Sequence, residues 1–464
     1  MIDFKNTEGI YFVGIGGIGM SALALYFAKG GFTIAGYDRS ESSITQSLTE
    51  NGCSVVYKDD VNELPALFSD TTEKSKIIIV YTPAIPAESR ILSFFRNNNY
   101  TIYKRSEILG EISRNTDTLA VAGTHGKTTV STMIAHLLKQ SHIDCSAFLG
   151  GISKNYNSNL LLGASRFTVM EADEFDRSFH RLSPLIAVVT SLDADHLDIY
   201  GDQVTMIKAY NEFCGKIRHG GDLVVNKKIR EDIIVPEGVT CHTYSLDNNA
   251  DFISYNIKHN KDYYSFSFRS PTAIIEDLHF AFPGIVNIEN FTAAIAVALM
   301  CGVTEQEIRK GVMLFQGVRR RFDIRINIPG LAFVDDYAHH PEEIRACITC
   351  IKEYFSGRKI TGIFQPHLFS RTRDHAAGFA EILDQLDEVI LLPIYPAREK
   401  PIDGVTSGMI FNKMKSTNKR LLEKSDIPGH LDSAKIDVLL TIGAGDIDLL
   451  VAPIEEKLRR ERGG

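Results

Sequence analysis

The chain has 464 residues, of which 44% are hydrophobic and 23% are charged. This length predicts two or three separate cores, and the composition excludes disordered, collagen-like and disulfide-scaffold proteins. There are 50 basic and 58 acidic residues, which gives a formal net charge of -8. This balance argues against a general nucleic-acid surface, so any anionic ligand must be held by a local site.

The start of the chain and its cysteines favour a reducing, cytosolic environment. The first residues carry no basic leader with an apolar core, and no apolar run approaches the roughly 18 residues that span a bilayer. The 7 cysteines are scattered and odd in number, which favours free thiols over a disulfide framework. Cys347 and Cys350 form a CxxC pair in a predicted helix after Pro341, but without a second pair buried thiols are favoured over metal or redox chemistry. We therefore expect a cytoplasmic protein with no membrane segment.

Apolar β-rich runs alternate with helical patterns along the whole sequence, which is typical of βαβ units and parallel sheets covered by helices. The predicted fold class is therefore α/β. Strands are predicted in three cycles, at 9–13, 33–37, 54–57 and 77–81, then at 118–122, 167–171 and 185–191, and finally at 331–335, 359–365, 388–393 and 437–442. Helices are predicted at 20–29, 128–140 and 288–300, and the alternation of polar and aromatic residues within 247–277 predicts an antiparallel hairpin.

The three cycles predict three domains. A Rossmann-like N-terminal domain takes residues 1–107, and a central nucleotide-binding domain with a parallel sheet takes residues 108–319. A second Rossmann-like domain takes residues 320–464. The sequence contains no short internal repeat and no low-complexity segment.

A glycine-rich loop follows the first predicted strand and opens the first helix. Its glycines are Gly14, Gly16, Gly17 and Gly19, in the pattern GxGxxG. Such glycines let the backbone approach a pyrophosphate at a helix N-terminus. Asp38 ends the second strand, where a dinucleotide-binding domain places a ribose-binding carboxylate. The motif alone leaves three interpretations open: NAD, another nucleoside diphosphate compound, or a turn needed only for packing.

A second loop between a strand and a helix predicts a phosphate site more strongly. It contains Gly123, Thr124, His125, Gly126, Lys127, Thr128 and Thr129. Backbone amides cradle phosphates, the Lys127 ammonium neutralises the β and γ oxygens, and the Thr128 hydroxyl can ligate Mg²⁺. Val121 stands where the strict Walker A pattern has its first glycine, so generic P-loop ATPases and GTPases fit less well.

Two acidic loops follow the next strands of the same domain. They are Glu171-Ala-Asp173-Glu174 and Asp193-Ala-Asp195-His196-Leu-Asp198. Because the carboxyl ends of parallel strands converge on one crevice, these groups are expected near the phosphate loop. Their mutual repulsion favours a bound cation. For Asp173, Glu174 and Asp198 individually, capping and solvated loop roles are favoured at least as strongly as metal ligation.

Two nucleotide loops in tandem argue against a dehydrogenase, which needs no phosphate loop with a lysine, and against a simple binding module. At this point the sequence resembles the Mur ligase family over nearly its whole length. The segments that carry the resemblance are, in chain order, VGIGGIGMSALA, AGTHGKTT, EADEFDRSF, TSLDADHLDIYG, GVRRRFD, VDDYAHHP, FQPHLFSRTRD and GAGDI.

The resemblance implies an ATP-dependent ligase of peptidoglycan precursor synthesis, in the branch that makes the first amino-acid addition. That branch joins L-alanine to the lactyl carboxylate of UDP-N-acetylmuramate through an acyl phosphate. The implied domains are an N-terminal one for the UDP-sugar, a central ATPase and a C-terminal one that closes over ATP and the amino acid. The implied partners are UDP-N-acetylmuramate, L-alanine and ATP, with neither nucleic acid nor membrane, and the protein would be a monomer or a homodimer.

The resemblance also assigns roles around the two loops. The first glycine loop would hold a UDP-sugar, with Asp38 and Arg105 beside it. Lys127 would contact the ATP phosphates and Thr128 would ligate one Mg²⁺. Glu171 and His196 would hold a second ion, and Mn²⁺ would be able to substitute.

Further implied roles concern the nucleotide. Asn287 and Asn290 resemble the family's adenine-contacting pair, since amides both donate and accept hydrogen bonds. Many relatives carry a histidine where this chain has Val286. Arg321 would reach the γ-phosphate, Asp336 would bind the ribose, and the neighbouring Arg319 and Arg320 are interpreted as a solvated charge run.

The remaining implied site residues line the place of the sugar carboxylate and the amino acid. They are Tyr337, His339, His367, Arg371 and Arg373. His339 is also a candidate base for the amine. Leu368 stands where many relatives carry arginine, which removes one expected carboxylate contact. Asn211 stands where later-acting relatives carry a carbamylated lysine, which agrees with the alanine-adding branch.

Three alternatives to this function remain. A murein-peptide ligase would join a tripeptide to the same sugar nucleotide. An NAD-dependent oxidoreductase would bind NADH and release no phosphate. A noncatalytic UDP-sugar sensor would bind ATP without turnover.

Overall fold

The computed structural model describes residues 2, 4–70, 72–86, 88–193, 200–260, 263–397 and 399–462. It divides into two compact units. The first unit comprises Met1–Phe282 with Val286–Gln316, and the second comprises Pro283–Ile285 with Gly317–Gly464. The two units contain three sheets. Along the chain, helices lie between strands of each sheet, as the predicted α/β class requires.

The first sheet of the first unit has five parallel strands in the order β3-β2-β1-β4-β5. The strands are β1 (Gly9–Val13), β2 (Thr33–Tyr37), β3 (Ser54–Val56), β4 (Ile77–Tyr81) and β5 (Thr101–Lys104). The helices are α1 (Ile18–Lys29), α2 (Ser43–Glu50), α3 (Ala66–Ser69), α4 (Arg90–Asn97) and α5 (Arg105–Arg114). Every residue of β1 is buried, as expected for the central strand of a sheet with helices on both faces.

The second sheet of this unit has ten strands in the order β15-β14-β13-β12-β11-β10-β6-β9-β7-β8. The strands are β6 (Asp117–Ala122), β7 (Ser146–Ser153), β8 (Ser158–Leu161), β9 (Phe167–Glu171), β10 (Ile186–Val189), β11 (Asp222–Asn226), β12 (Thr240–Ser245), β13 (Phe252–His259), β14 (Tyr264–Arg269) and β15 (Ile274–Phe280). The helices are α6 (Lys127–Lys139), α7 (Gln203–Cys214), α8 (Ile285–Met300) and α9 (Glu305–Leu314). The predicted hairpin is an antiparallel meander of β13, β14 and β15, whose buried aromatic side chains cover α8 and α9.

The sheet of the second unit has six strands in the order β16-β17-β21-β18-β19-β20. The strands are β16 (Asp323–Ile328), β17 (Leu331–Asp336), β18 (Ile360–Phe364), β19 (Glu388–Leu391), β20 (Lys419–Leu421) and β21 (Val438–Ile442). The helices are α10 (Pro341–Tyr354), α11 (Phe369–Leu383), α12 (Gly408–Lys413), α13 (Ile427–His430) and α14 (Asp448–Arg462). Because β21 lies between β17 and β18, the strand order reverses beside the carboxyl ends of β17 and β18, where open α/β sheets bind ligands.

Short 3₁₀ segments complete the described structure. They are Val61–Glu63, Lys74–Lys76, Phe175–Arg181, Lys227–Asp232, Lys424–Asp426 and Ser433–Lys435. No helix among the described residues is long and apolar enough to cross a membrane. All seven cysteines are free thiols, and burial raises the pKa of Cys347 and Cys350 on α10.

Helix α6 carries a fully buried histidine below the phosphate loop. The Nε2 atom of His136 lies 3.0 Å from the carbonyl oxygen of Gly311, and its Nδ1 atom lies 3.2 Å from the hydroxyl of Tyr156. Nε2 therefore donates its proton to a carbonyl, and Nδ1 accepts from the tyrosine. Burial lowers the pKa of His136 from 6.5 to about 4.

We expect His136 to reduce the free energy of unfolding by about 3 kcal/mol as the pH falls from 6.5 to 4. The unfolded histidine binds a proton below pH 6.5, whereas the folded one stays neutral until about pH 4, so acid favours the unfolded chain. Urea unfolding of the wild type and of His136→Gln across this range measures the effect. The variant should lack this part of the slope, while His142→Gln, an exposed histidine just after the same helix, should keep it.

Candidate functional site

The first glycine loop is fixed to the end of the neighbouring strand. Gly14 adopts a positive φ of 91°, which an L side chain rarely adopts, and the amides of Gly14 and Ile15 donate to the carbonyl of Tyr37 at 2.7 and 3.0 Å. The amide of Gly16 donates to Oδ2 of Asp38 at 2.8 Å. Asp38 therefore stabilises the loop itself. The sequence predicted a role for Asp38 at a ribose but did not predict this contact.

Arg105 connects this loop to the acidic loop of the next domain. It is the first residue of α5, and a Cβ atom placed on Gly19 would collide with its guanidinium group. Its Nη2 atom lies 3.3 Å from Oδ2 of Asp173. The structure therefore places a predicted UDP-sugar residue between the first glycine loop and the Glu171–Glu174 segment, all within the first unit.

The phosphate loop is held by the end of strand β10. The amide of Thr124 donates to the carbonyl of Ser191 at 3.2 Å, and the amide of His125 donates to its hydroxyl at 2.8 Å. The Thr124 and Ser191 hydroxyls lie 2.9 Å apart. Ser191 was not predicted as a site residue, and the only signal for it was a polar residue at the end of a neighbouring strand.

Helix α6 supplies the amides that remain for a phosphate. Gly126 precedes it with a φ of 83°, which directs the chain into the helix. The first intrahelical bond runs from the amide of Val130 to the carbonyl of Gly126. The amides of Lys127, Thr128 and Thr129 therefore have no intrahelical acceptor and form an anion site at the positive end of the helix.

Lys127 is held by three acceptors, two in this loop and one in the acidic loop after β9. Its Nζ atom donates to the carbonyls of Gly123 and Thr124 at 2.7 and 3.3 Å and to Oε1 of Glu174 at 2.8 Å. Burial alone would lower the pKa of Lys127, but Glu174 and Glu171 outweigh it and raise that pKa. The Glu174 side chain is only 1% exposed, so the interpretation of Glu174 as a solvated residue is wrong: it is the buried partner of Lys127.

Glu171 ends strand β9 with one carboxylate oxygen unpaired. The carboxylate covers Gly150, where a Cβ atom would collide with it, and Oε2 is buried without a hydrogen-bond partner among the described residues. A buried oxygen of this kind suits Mg²⁺, which prefers oxygen ligands. Thr128, the other predicted oxygen ligand, lies buried in the first turn of α6.

The remaining part of the predicted metal site cannot be placed. His196 lies outside the described residues, together with Asp195 and Asp198. Within the described ranges, no three His, Cys, Asp or Glu side chains cluster in a way that could hold a metal ion. The fit for a cation therefore depends on Glu171 and Thr128.

The predicted adenine pair lies beside the phosphate loop. Asn287 and Asn290 lie in the first two turns of α8, and Nδ2 of Asn290 lies 3.3 Å from Oδ1 of Asn287. A Cβ atom placed on Gly126 would lie 3.1 Å from Oδ1 of Asn290. Val286 is half exposed beside them. The structure therefore brings the pair and the loop together.

In the second unit, Asp336 braces a turn at the end of β17. Its Oδ2 atom accepts from the amide of Phe322 at 2.7 Å, and its Oδ1 atom accepts from the amide of Ala338 at 2.8 Å. Burial raises the pKa of Asp336 to about 6, against the opposing effect of Arg321. Both oxygens of the predicted ribose ligand thus already accept one hydrogen bond each.

The interpretation of Arg320 as part of a solvated charge run is wrong. Its guanidinium donates to Oδ2 of the buried Asp335 at 3.2 Å and to the carbonyl of Gly443 at 2.6 Å. The ion pair is needed because Asp335 is only 1% exposed. Arg321 lies over the ring of Tyr337, 5.0 Å from its centroid, which places these two predicted site residues together.

Four aromatic rings gather at the ends of β17, β18 and β19. The rings of His339 and His367 are 5.8 Å apart, and His367 stacks on Tyr395 at the same separation. Tyr337 lies edge-on to His339 at 5.4 Å. Tyr395 was not predicted, because it follows a different strand of the sheet.

The two predicted arginines of α11 differ in their contacts. Arg371 lies close enough to His339 to lower the pKa of that histidine. Arg373 is half exposed and pairs with the adjacent Asp374 at 2.7 Å. Leu368 precedes the helix with a φ of 71°, and its amide donates to the carbonyl of Tyr395 at 2.9 Å. Arg371 therefore lies near His339, as predicted, whereas Arg373 is paired with Asp374.

Asn211 has a structural role. Its Nδ2 atom donates to the carbonyl of Asp232 at 3.0 Å, and its Oδ1 atom accepts from the amide of Ile234 at 2.7 Å. The side chain thus holds helix α7 to a neighbouring loop.

Three family profiles match successive parts of the chain. Residues 9–116 match the "Mur ligase family, catalytic domain", residues 121–298 match the "Mur ligase middle domain", and residues 320–449 match the "Mur ligase, glutamate ligase domain". The first range contains the first glycine loop, the second contains the phosphate loop, and the third contains the rings of Tyr337, His339, His367 and Tyr395.

Similar proteins and structures match over almost the full length. The UDP-N-acetylmuramate--L-alanine ligase of Parabacteroides distasonis is 47% identical over 461 residues, covering 99% of each chain. That of Flavobacterium johnsoniae is 43% identical over 457 residues, covering 98% of this chain and 99% of the relative. The crystal structure of the UDP-N-acetylmuramate-alanine ligase of Thermotoga maritima superposes with a TM-score of 0.82 at 25% identity, covering 98% of this chain and 100% of that one. A murein peptide ligase of Psychrobacter arcticus shares the fold, with a TM-score of 0.71 at 20% identity and coverage of 97% and 98%. With three family profiles matching successive parts of the chain and 47% identity to a relative over 461 residues, the chain belongs to the Mur ligase family.

Proposed function

We propose that the protein joins L-alanine to the lactyl carboxylate of UDP-N-acetylmuramate and converts ATP to ADP and phosphate. This is the first amino-acid addition in peptidoglycan precursor synthesis. The observation that carries the proposal is the position of Arg105: it lies against the first glycine loop and 3.3 Å from Asp173, in the same acidic loop as Glu174, the partner of Lys127 in the phosphate loop. Relatives that are 41–47% identical over almost the full chain are named for this activity.

The first half-reaction activates the carboxylate. A carboxylate is a poor electrophile, because resonance and negative charge resist attack. Its oxygen attacks the γ-phosphorus of ATP, which forms an acyl phosphate and releases ADP. The Lys127 ammonium and the amides at the start of α6 bind the phosphates, and Arg321 neutralises the transferring group.

Mg²⁺ supplies charge neutralisation for this step when it is bound. Thr128 would hold one ion, and Glu171 with His196 would hold a second. Mn²⁺ has similar ligand preferences and is expected to substitute. Asn287 and Asn290 hold the adenine, and Asp336 contacts the ribose.

The second half-reaction forms the amide. The amine of L-alanine attacks the acyl carbon, phosphate leaves, and His339 accepts the proton from the amine. Arg371, His367, Tyr337 and Arg373 bind carboxylates of the two substrates and orient the amine.

The functional domains follow the three sheets. We propose 1–107 for the UDP-sugar, 108–319 for ATP and 320–464 for the amino acid, in a monomer or a homodimer. The reaction uses ATP and a sugar nucleotide, both of which are made in the cytoplasm, and this supports a cytoplasmic location.

The reaction is tested by measuring phosphate release from ATP and Mg²⁺ with UDP-N-acetylmuramate, with product masses read in parallel. The three amine conditions are L-alanine, the tripeptide L-Ala-γ-D-Glu-meso-diaminopimelate, and no amine. We expect sustained release only with L-alanine, and a product heavier by one alanyl residue. Preference for the tripeptide would assign the protein to murein-peptide recycling, and no release with any amine would refute the reaction.

A further inference from the structure

Glu343 lies directly behind the proposed base, on the first turn of α10. Its Oε2 atom lies 3.3 Å from Nδ1 of His339. The same oxygen accepts from the amides of His339 and His340, at 3.0 and 3.3 Å. One carboxylate oxygen therefore holds both the backbone and the ring of His339.

The position of this carboxylate is fixed by the helix. Glu343 is the third residue of α10 and forms a capping box with His340, and Pro341 begins the helix. A carboxylate in the first turn is also stabilised by the positive end of the helix dipole. The carboxylate that contacts the imidazole is thus restrained by three independent features of the fold.

The contacts of His339 determine which ring nitrogen carries the proton. Besides Glu343, Nδ1 faces the carbonyl oxygen of Tyr337 at 3.1 Å. Neither a carbonyl nor a carboxylate donates a proton, so in the neutral ring Nδ1 carries the hydrogen and Nε2 keeps its lone pair. Nε2 is the atom that can accept a proton from a substrate amine.

The charges around this ring oppose each other. The pKa of His339 is lowered to about 4, chiefly by burial, with Arg371 and Arg321 acting in the same direction. Glu343 acts in the opposite direction. The rings of Tyr337 and His367 complete the surroundings at 5.4 and 5.8 Å. Among these groups Glu343 is the one carboxylate. Its negative charge raises the pKa of the imidazole and opposes the effect of the two arginines.

We propose that Glu343 is a positioning residue for the second half-reaction. Together with the Tyr337 carbonyl it fixes the Nδ1–H tautomer of His339, and it holds the ring and backbone of His339 so that Nε2 takes the amine proton. The nitrogen of the amino acid forms a bond to the acyl carbon, and the bond from that carbon to the phosphate oxygen breaks. The proton of the attacking nitrogen goes to Nε2, and phosphate leaves with the electron pair. This inference rests on the proposed function, because it assigns a partner to the base of that reaction.

The test separates the two half-reactions. Hydroxylamine is unprotonated at neutral pH and traps an acyl phosphate as a hydroxamate with little need for a base. We expect Glu343→Ala to lower kcat with L-alanine about 100-fold while ATP-dependent hydroxamate formation from UDP-N-acetylmuramate stays within about twofold. Glu343→Gln keeps an oxygen that can accept from Nδ1, and we expect it to recover much of the lost rate.

Glu342→Gln is the matched control. It changes the same charge one position earlier on the same helix, where Glu342 is exposed and lies 3.6 Å from Arg345. We expect it to behave as the wild type in both assays. A role in helix capping alone would lower both reactions together, and this result, or unchanged kcat in Glu343→Ala, would overturn the proposal. If the wild type forms the hydroxamate but no alanyl product, or neither product, the proposed function fails first and the inference falls with it.

Discussion

Lys127→Ala is expected to lower ATP-dependent ligation by about 10³-fold or more. The Lys127 ammonium lies at the start of α6, among the amides that form the anion site, and is the cation best placed to neutralise the β and γ oxygens of ATP. An alanine leaves the amides in place but removes that charge from a buried loop. Phosphate release with UDP-N-acetylmuramate and L-alanine measures the loss.

The same substitution also breaks the ion pair between Lys127 and the buried Glu174. Breaking a buried ion pair from one side costs about 3–5 kcal/mol, so the single variant loses stability as well as activity. The double variant Lys127→Ala/Glu174→Gln removes both charges and should regain most of the stability while staying inactive. Lys139→Ala, on the same helix, removes a lysine that pairs with the half-exposed Asp144 and should remain active. Turnover in the double variant would contradict the phosphate assignment.

The central strands of the parallel sheets were predictable because burial on both faces leaves a continuous apolar run. The predicted bounds of β1, β2, β4 and β9 agree with the structure to the residue. Strand β10 was predicted to continue to Ser191 but ends at Val189, because Thr190 and Ser191 turn to bind the phosphate loop. The polar residues after Val189 were therefore predicted as strand, whereas they contact the phosphate loop.

Two of the unpredicted strands, β7 and β12, lack that apolar run. Strand β7 (Ser146–Ser153) contains two adjacent glycines, and β12 (Thr240–Ser245) consists mainly of polar and small residues. Their pairing depends on neighbours far away in the sequence, such as β9 for β7 and β11 for β12. A local pattern carries no information of that kind.

The candidate site divides in the same way. Motif residues such as Lys127 and Gly126 could be predicted, since their chemistry depends on adjacent residues in one loop. Their partners could not: Glu174 is 47 residues from Lys127, and Ser191 is 66 residues from His125. Glu343 was close in sequence to His339, yet its spacing of four residues also fits an ordinary helix cap, and only the distance to Nδ1 distinguishes the two roles.

Glu171→Gln should lower activity strongly while changing stability little. We propose that Glu171 holds a cation, and an amide oxygen carries no charge, so we expect the maximal rate to fall about 10²- to 10³-fold. The Mg²⁺ concentration for half-maximal rate should rise about tenfold. Without metal, however, Oε2 of Glu171 is buried and unpaired among the described residues. Removing that charge relieves its burial but also weakens the attraction for the buried Lys127 ammonium, so the free energy of unfolding should change by less than about 1 kcal/mol.

Asp176→Asn is the control for this prediction. It makes the same change of charge five residues later, where Asp176 is exposed and lies 3.0 Å from Lys104. Mg²⁺ titrations of the rate and urea unfolding without metal, done on both variants, give the comparison. If Glu171→Gln keeps the Mg²⁺ dependence of Asp176→Asn, Glu171 is not a metal ligand. A large loss of rate without a comparable change in stability would identify Glu171 as a residue needed for the reaction rather than for the fold.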